Sequence, residues 1–283
     1  MLQNFRVYQE ILTDDNFWVI RADNEGRESC LPPELWRYMF KTAGVTIPAN
    51  VDATGFLFDC AKIYLSGKGY GKHSVLNLRE DSTMEQLEME SDVKFRGGLC
   101  LAIESPPQGC LEQHPEVQTC FATTFRLSHY KVCIDLTKWG IEEWVLDYVR
   151  PTIRITELVA PRTDCASRFD LYARLAADAN KSSRDYLDPK YHSFCKLETR
   201  EWPADSGCGW NEVTVKISEY PIGMRFLNIT SGGKDTQFWD GHYGPKMARL
   251  QVEIVLPNLP RILPRETWAD TKEPHKLVNE PFD

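Results

Sequence analysis

From residue 94 onward the chain alternates apolar and polar residues in one short run after another, and this restricts its fold more than any other feature. Val132, Ile134 and Leu136 alternate with Lys131, Cys133 and Asp135. Ile153 and Ile155 alternate with Arg154 and Thr156, and Phe169, Leu171, Ala173 and Leu175 with Asp170, Tyr172 and Arg174. The pattern returns at Val213, Val215 and Ile217 and again at Leu250, Val252 and Ile254. A period of two sends one set of side chains to one face, as in a strand buried on one side. Many short strands without regular helices between them predict an antiparallel β-sandwich and argue against a parallel α/β fold. One helix is expected inside this region, over 139–149, where Trp144, Val145 and Tyr148 share a stripe.

Upstream the periodicity is helical. Pro32 and Pro33 precede Leu35, Met39 and Phe40, which suit a short amphipathic helix that Gly44 can end. Phe56–Leu65 reads as a second helix, Ser66–His73 as a Gly- and Lys-rich break, and the acidic stretch 79–93 as a solvated linker. After Pro257 the chain is rich in proline and charge, the composition of an extended or disordered tail.

Composition narrows the function classes. The 283 residues are 42% apolar and 26% charged, normal for a globular protein able to bury a core. A net charge of −8 argues against bulk binding to nucleic acid or an anionic membrane. No apolar run approaches the roughly 18 residues of a membrane span. Glu10, Asp14 and Asp15 interrupt any secretory signal, and the nine cysteines contain no C-x-x-C pair. Reduced thiols in a cytoplasmic protein are therefore expected, with the sequons at Asn180 and Asn228 unused. Phosphate-loop, dinucleotide-fold, nucleophile-elbow and zincin motifs are all missing, and the six histidines have no metal-ligand spacing. A binding module without metal or cofactor is expected rather than an enzyme.

The stretch Gly232–Lys246 is the candidate binding element. Paired glycines, Phe238, Trp239, Gly241, Gly244 and Pro245 read as a turn-rich loop between strand-like runs at 224–229 and 250–255. Its aromatics either cap the core or meet a ligand. As contacts they suit a sugar, because an aromatic face stacks on the C–H face of a pyranose while a nearby carboxylate accepts hydrogen bonds from hydroxyls.

Several segments in order, Trp139–Trp144, Asp147–Pro151, Arg162-Thr-Asp164, Trp210–Val213, Ile222–Phe226 and Gly232–Pro245, resemble the F-box-associated (FBA) domain, the substrate domain of the sugar-recognising F-box proteins. The resemblance covers about residues 95–257 and implies a mainly β fold, an antiparallel jelly-roll sandwich of the galactose-binding type, preceded by a small helical linker domain. It divides the chain into a truncated or degraded F-box region (1–35), a helical linker (36–93), the FBA sandwich (94–257) and a tail (258–283). It implies a substrate-recognition subunit of an SCF-type cullin–RING ubiquitin ligase, without catalytic residues of its own. Its implied partners are a Skp-type adaptor, a cullin and N-glycosylated misfolded proteins marked for ubiquitin-dependent degradation. The short N-terminal region leaves a second expectation, an F-box-free FBA module with no ligase role. Carried over residue by residue, the glycan-binding positions are Phe125, Asp164, Phe238, Trp239 and Asp240. Phe238 stands where a tyrosine is usual. Asp240 stands where sugar-binding members have a lysine, a charge reversal that shifts the expected specificity.

Overall fold

The computed structural model describes residues 70–255, except 77, 91–93, 99, 142, 144, 180–186 and 191. The expected F-box region, residues 36–69 of the linker and the tail lie outside the described residues. The described part builds two sheets. One joins β1 (Lys72–Ser74), β3 (Ala102–Glu104), β4 (Cys120–Ala122), β6 (Thr152–Ala160), β9 (Asn211–Ile217) and β11 (Lys246–Val255). Its order is β3-β4-β11-β6-β9, with β1 also paired to β11. The other runs β2 (Lys94–Gly97), β5 (Ser128–Asp135), β10 (Phe226–Asp235), β7 (Ser167–Ala176), β8 (Cys195–Trp202). Every pairing is antiparallel, so the fold class expected from the alternation, an antiparallel β-sandwich, stands.

The core follows from the period of two. In β5, Ser128, Tyr130, Val132 and Ile134 are buried while the residues between them are half-buried. Tyr130 and Phe121 pack with ring centroids 4.9 Å apart, and Phe95 lies 5.8 Å from Tyr130. Ile153, Ile155, Phe169, Leu171, Leu227, Ile229 and Val252 fill the rest. Burying each such side chain stabilises the fold by about 1.5–3 kcal/mol. One carboxylate shares this core. Glu157 accepts hydrogen bonds of 2.5 Å from the Tyr130 and Ser231 hydroxyls, and burial pushes its pKa up to about 7 despite both donors.

Four local expectations are revised. The helix over 139–149 is instead a 3₁₀ turn, Leu136–Trp139, and a π-helical turn, Val145–Val149. Asp135 caps the first turn by accepting from the Thr137 N–H, and Gly140, at φ 79°, ends it in the left-handed region. The acidic stretch contains a helix, α1 (Met84–Glu90), started by reciprocal bonds between Thr83 and Gln86 that form a capping box. Lys72–Ser74, within the Gly- and Lys-rich break, adds to the sandwich edge as β1. Gly232 and Gly233 are strand residues of β10, not the start of a loop. A Cβ on Gly232 would sit 2.2 Å from the Ser128 carbonyl oxygen, and one on Gly233 2.4 Å from that of Arg168. The pair is there to lack side chains between β5 and β7.

Candidate functional site

Antiparallel connectivity gathers the connections at 123–127, 161–166, 203–210 and 236–245 at one end of the sandwich, and the long β3–β4 excursion, 105–119, reaches them. Backbone bonds tie them together: Thr163 N–H to Gly109 O, Asp205 N–H to Thr163 O, Thr236 N–H to Ala166 O and Gly244 N–H to Thr123 O, each 2.9 Å.

The loop 236–245 is set by charges buried at both its ends. Asp235, wholly buried at the close of β10, accepts through Oδ1 from the N–H groups of Gln237 (3.0 Å), Phe238 (2.6 Å) and Trp239 (3.3 Å). This is an aspartate-stabilised turn. It coincides with a left-handed backbone at Phe238, φ 60°, uncommon for a bulky residue. At the other end Lys246, also wholly buried, donates to Glu104 Oε1 (2.7 Å) and to the His242 carbonyl (2.9 Å). With the backbone so held, Phe238 is 71% and Trp239 40% exposed.

A chain of contacts leads from Trp239 to Asp164. The Trp239 and Tyr243 rings meet edge-on at 5.2 Å, and the Arg162 guanidinium lies 4.4 Å from the Tyr243 ring centre. Arg162 then grips Asp164 with two hydrogen bonds of 2.8 Å. That bond holds the Asp164 carboxyl below the usual carboxylate range and raises Arg162 further. Gly109 makes room for the guanidinium, since a Cβ there would come within 2.6 Å of Arg162 Cζ. Asp164 is thus a fixed, ionised acceptor with lone pairs left for a ligand.

The five sequence-predicted residues therefore share one end of the molecule, but they are not one contact cluster. Trp239 and Asp164 are joined through Tyr243 and Arg162. Phe238 projects into solvent, and Asp240 is exposed with no hydrogen bond or ion pair among the described residues. Phe125 is half-buried in the adjoining loop, beside Thr124, whose carbonyl accepts from the Asp235 N–H. Its ring lies 5.5 Å from the Arg126 guanidinium. Asp235, Arg162 and Tyr243 lie in segments that carry the family resemblance, but the sequence assigns them no site role. An aspartate closing a strand and followed by polar and aromatic residues signals such a turn; the arginine–tyrosine contact leaves no local signal.

The class is a β-sandwich whose loops present aromatic and carboxylate groups at one end. Residues 76–254 match the family described as F-box associated region, and the chain belongs to that family. F-box only protein 6 of Mus musculus is 30% identical over 272 residues, 93% of this chain and 79% of that protein. The Homo sapiens F-box only protein 6 is 29% identical over 187 residues, and the match spans 65% of this chain and 60% of that protein. Among solved structures, a carbohydrate-binding module in complex with β-1,4-galactotriose is 8% identical, with a TM-score of 0.35, covering 64% of this chain and 99% of that one. No helix among the described residues is long and apolar enough to cross a membrane.

Proposed function

We propose that this chain is the non-catalytic substrate-recognition subunit of an SCF-type ubiquitin ligase, and that its loop end binds the glycan core of N-glycosylated misfolded proteins in the cytosol. Family membership and F-box only relatives support the ligase role. The single observation behind the glycan role is the pinned loop: Phe238 and Trp239 stay open to solvent, and Trp239 connects through Tyr243 to a fixed Arg162–Asp164 pair. Trp239, and Phe125 from the adjoining loop, would give apolar faces to the sugar rings, Asp164 would accept from a hydroxyl or acetamide N–H, and Asp240 would meet the ligand's rim. Residues 94–257 would form the recognition domain, and residues 1–35 would contact the Skp-type adaptor and through it the cullin.

Two measurements separate the halves of this reading. Pull-down of a high-mannose glycoprotein by the full chain should weaken roughly 5- to 150-fold on Trp239→Ala, the effect of losing a stacking contact worth about 1–3 kcal/mol. Equal capture by both proteins removes the glycan site. Co-purification of the full chain with a Skp-type adaptor tests the ligase role, and its failure leaves an F-box-free binding module.

A further inference from the structure

The excursion 105–119 does more than brace Arg162. It crosses the outer face of the first sheet, where Val117, Cys120 and Ala248 form a small buried cluster with Leu158 and Trp210 packed against it. Beside this cluster the sheet carries a cleft of about 370 Å³. Its floor is Thr156, Leu158 and Gln251; Lys72 and Glu212 line it from β1 and β9, and His114, Glu116 and Arg249 complete the wall. Thr156, on the outward-facing row of β6 between Gln251 and Thr214, is only 5% exposed.

The cleft is shaped by a break in the sheet. The register of β11 against β6 shifts between Ala248 and Gln251, and Arg249 there has a left-handed backbone, φ 56°. Bulges of this kind re-aim side chains and occur beside functional sites. Arg249 reaches the excursion, donating to the Glu116 carbonyl and lying 3.3 Å from its carboxylate. The wall is thereby tied to the sheet.

The chemistry of the lining selects a ligand class. Arg249 and Glu116 neutralise each other, and Glu157, which also lines the cleft, turns its carboxyl into the core onto Tyr130 and Ser231, leaving Lys72 and Glu212 as the unpaired charged side chains of the lining. Lys72 has no ion-pair partner among the described residues. A wall so balanced favours neither a polyanion nor a polycation. His114 Nδ1 accepts from the Glu116 N–H at 3.2 Å, so the neutral ring carries its proton on Nε2. Lys72, the His114 Nε2–H and the Gln251 amide are donors, and Glu212 and the Gln251 carbonyl are acceptors. Hydroxyl groups donate and accept at once, so vicinal hydroxyls match a wall of interleaved donors and acceptors.

We propose that this cleft is a second carbohydrate subsite, taking one neutral, polyhydroxylated sugar residue on the sheet face, distinct from the loop end. With no tryptophan, tyrosine or phenylalanine ring in the lining to stack on a sugar, binding there is driven by hydrogen bonds and falls in the millimolar range.

Amide and side-chain chemical shifts of the full chain, titrated with methyl α-mannoside, methyl β-galactoside or inorganic phosphate, test the proposal. At least one glycoside should move the Gln251 side-chain amide, His114 and Thr156, and these shifts should survive Trp239→Ala. Gln251→Ala and the conservative Glu212→Gln should each weaken them at least threefold while the remaining spectrum stays in place. Phosphate alone moving these signals, no glycoside moving them, or loss of the response on Trp239→Ala would overturn it. The Trp239→Ala arm also keeps this site independent of the loop-end reading, since each can fail without the other.

Discussion

The two ends of the sandwich use the same device for different purposes. At the end away from the loop site, Arg225 donates two hydrogen bonds of 2.7 Å to Asp147, whose Oδ1 also accepts from the Gly223 N–H at 2.7 Å. Tyr220 adds a bond to the Pro151 carbonyl. These groups answer one another and close the chain; the exposed Ile222 beside them is an ordinary single apolar surface residue. At the loop end a carboxylate again gathers backbone N–H groups, but Asp235 does so to hold rings and a charge in solvent. Polar groups that end in each other signal architecture. Polar groups whose effect is to leave others unanswered mark where to look for a ligand.

This contrast can be broken most strongly in the core between the two ends. Glu157 has a folded pKa of about 7 against an ordinary 4.5. A raised acid contributes stability that is full below its unfolded pKa and is lost as pH rises through the folded one. Stability should therefore fall on the order of 3 kcal/mol between about pH 4.5 and 8 from this group, and Glu157→Gln should flatten that slope in urea titrations. If both ends lose structure together along that slope, they are one cooperative unit.

Next in size is Arg225→Ala. Burial opposes ionisation of Asp147, but the bonds from Arg225 and Gly223 outweigh it and hold the carboxyl below its usual range. Removing the hydrogen-bond partner of this mostly buried charge should cost about 2–3 kcal/mol in urea denaturation, with glycoprotein capture unchanged. Asp235→Ala should cost about 1–2 kcal/mol, the loss of a cap-like acceptor, and should also abolish capture. If Asp235→Ala keeps capture, the two ends do not differ in purpose.

Which parts were legible in the sequence follows from how each part is stabilised. β5, β6, β7, β9 and β11 are buried on one face, so their side chains had to alternate. β8 did not announce itself: it is an edge strand paired only with β7, with Lys196, Glu198 and Arg200 on one row and Leu197 and Thr199 on the other. The Gly232–Gly233 pair is ambiguous in the sequence for a physical reason, because glycine serves equally as a turn former and as a gap for neighbouring backbone. At the site, the aromatic pair stood out by composition and resemblance. The tie between Lys246 and Glu104 joins residues 142 positions apart and has no local trace.

The smallest expected effect is at the rim. Asp240→Lys, which reverses the charge at the loop rim, should change glycoprotein affinity by no more than about 1 kcal/mol, as for other exposed charges, and leave the urea midpoint in place. A larger change would make Asp240 the chief determinant of what is bound.

The left-handed backbone at Phe238 has a bearing on how this surface can evolve. A glycine or asparagine would occupy that conformation with less steric conflict than a phenylalanine. The ring is also 71% exposed, so it repays little of that conflict by burial. Folding and surface display pull against each other at this one residue. In a lineage released from its ligand, Phe238 is therefore where drift toward a more stable, ligand-blind protein meets least resistance.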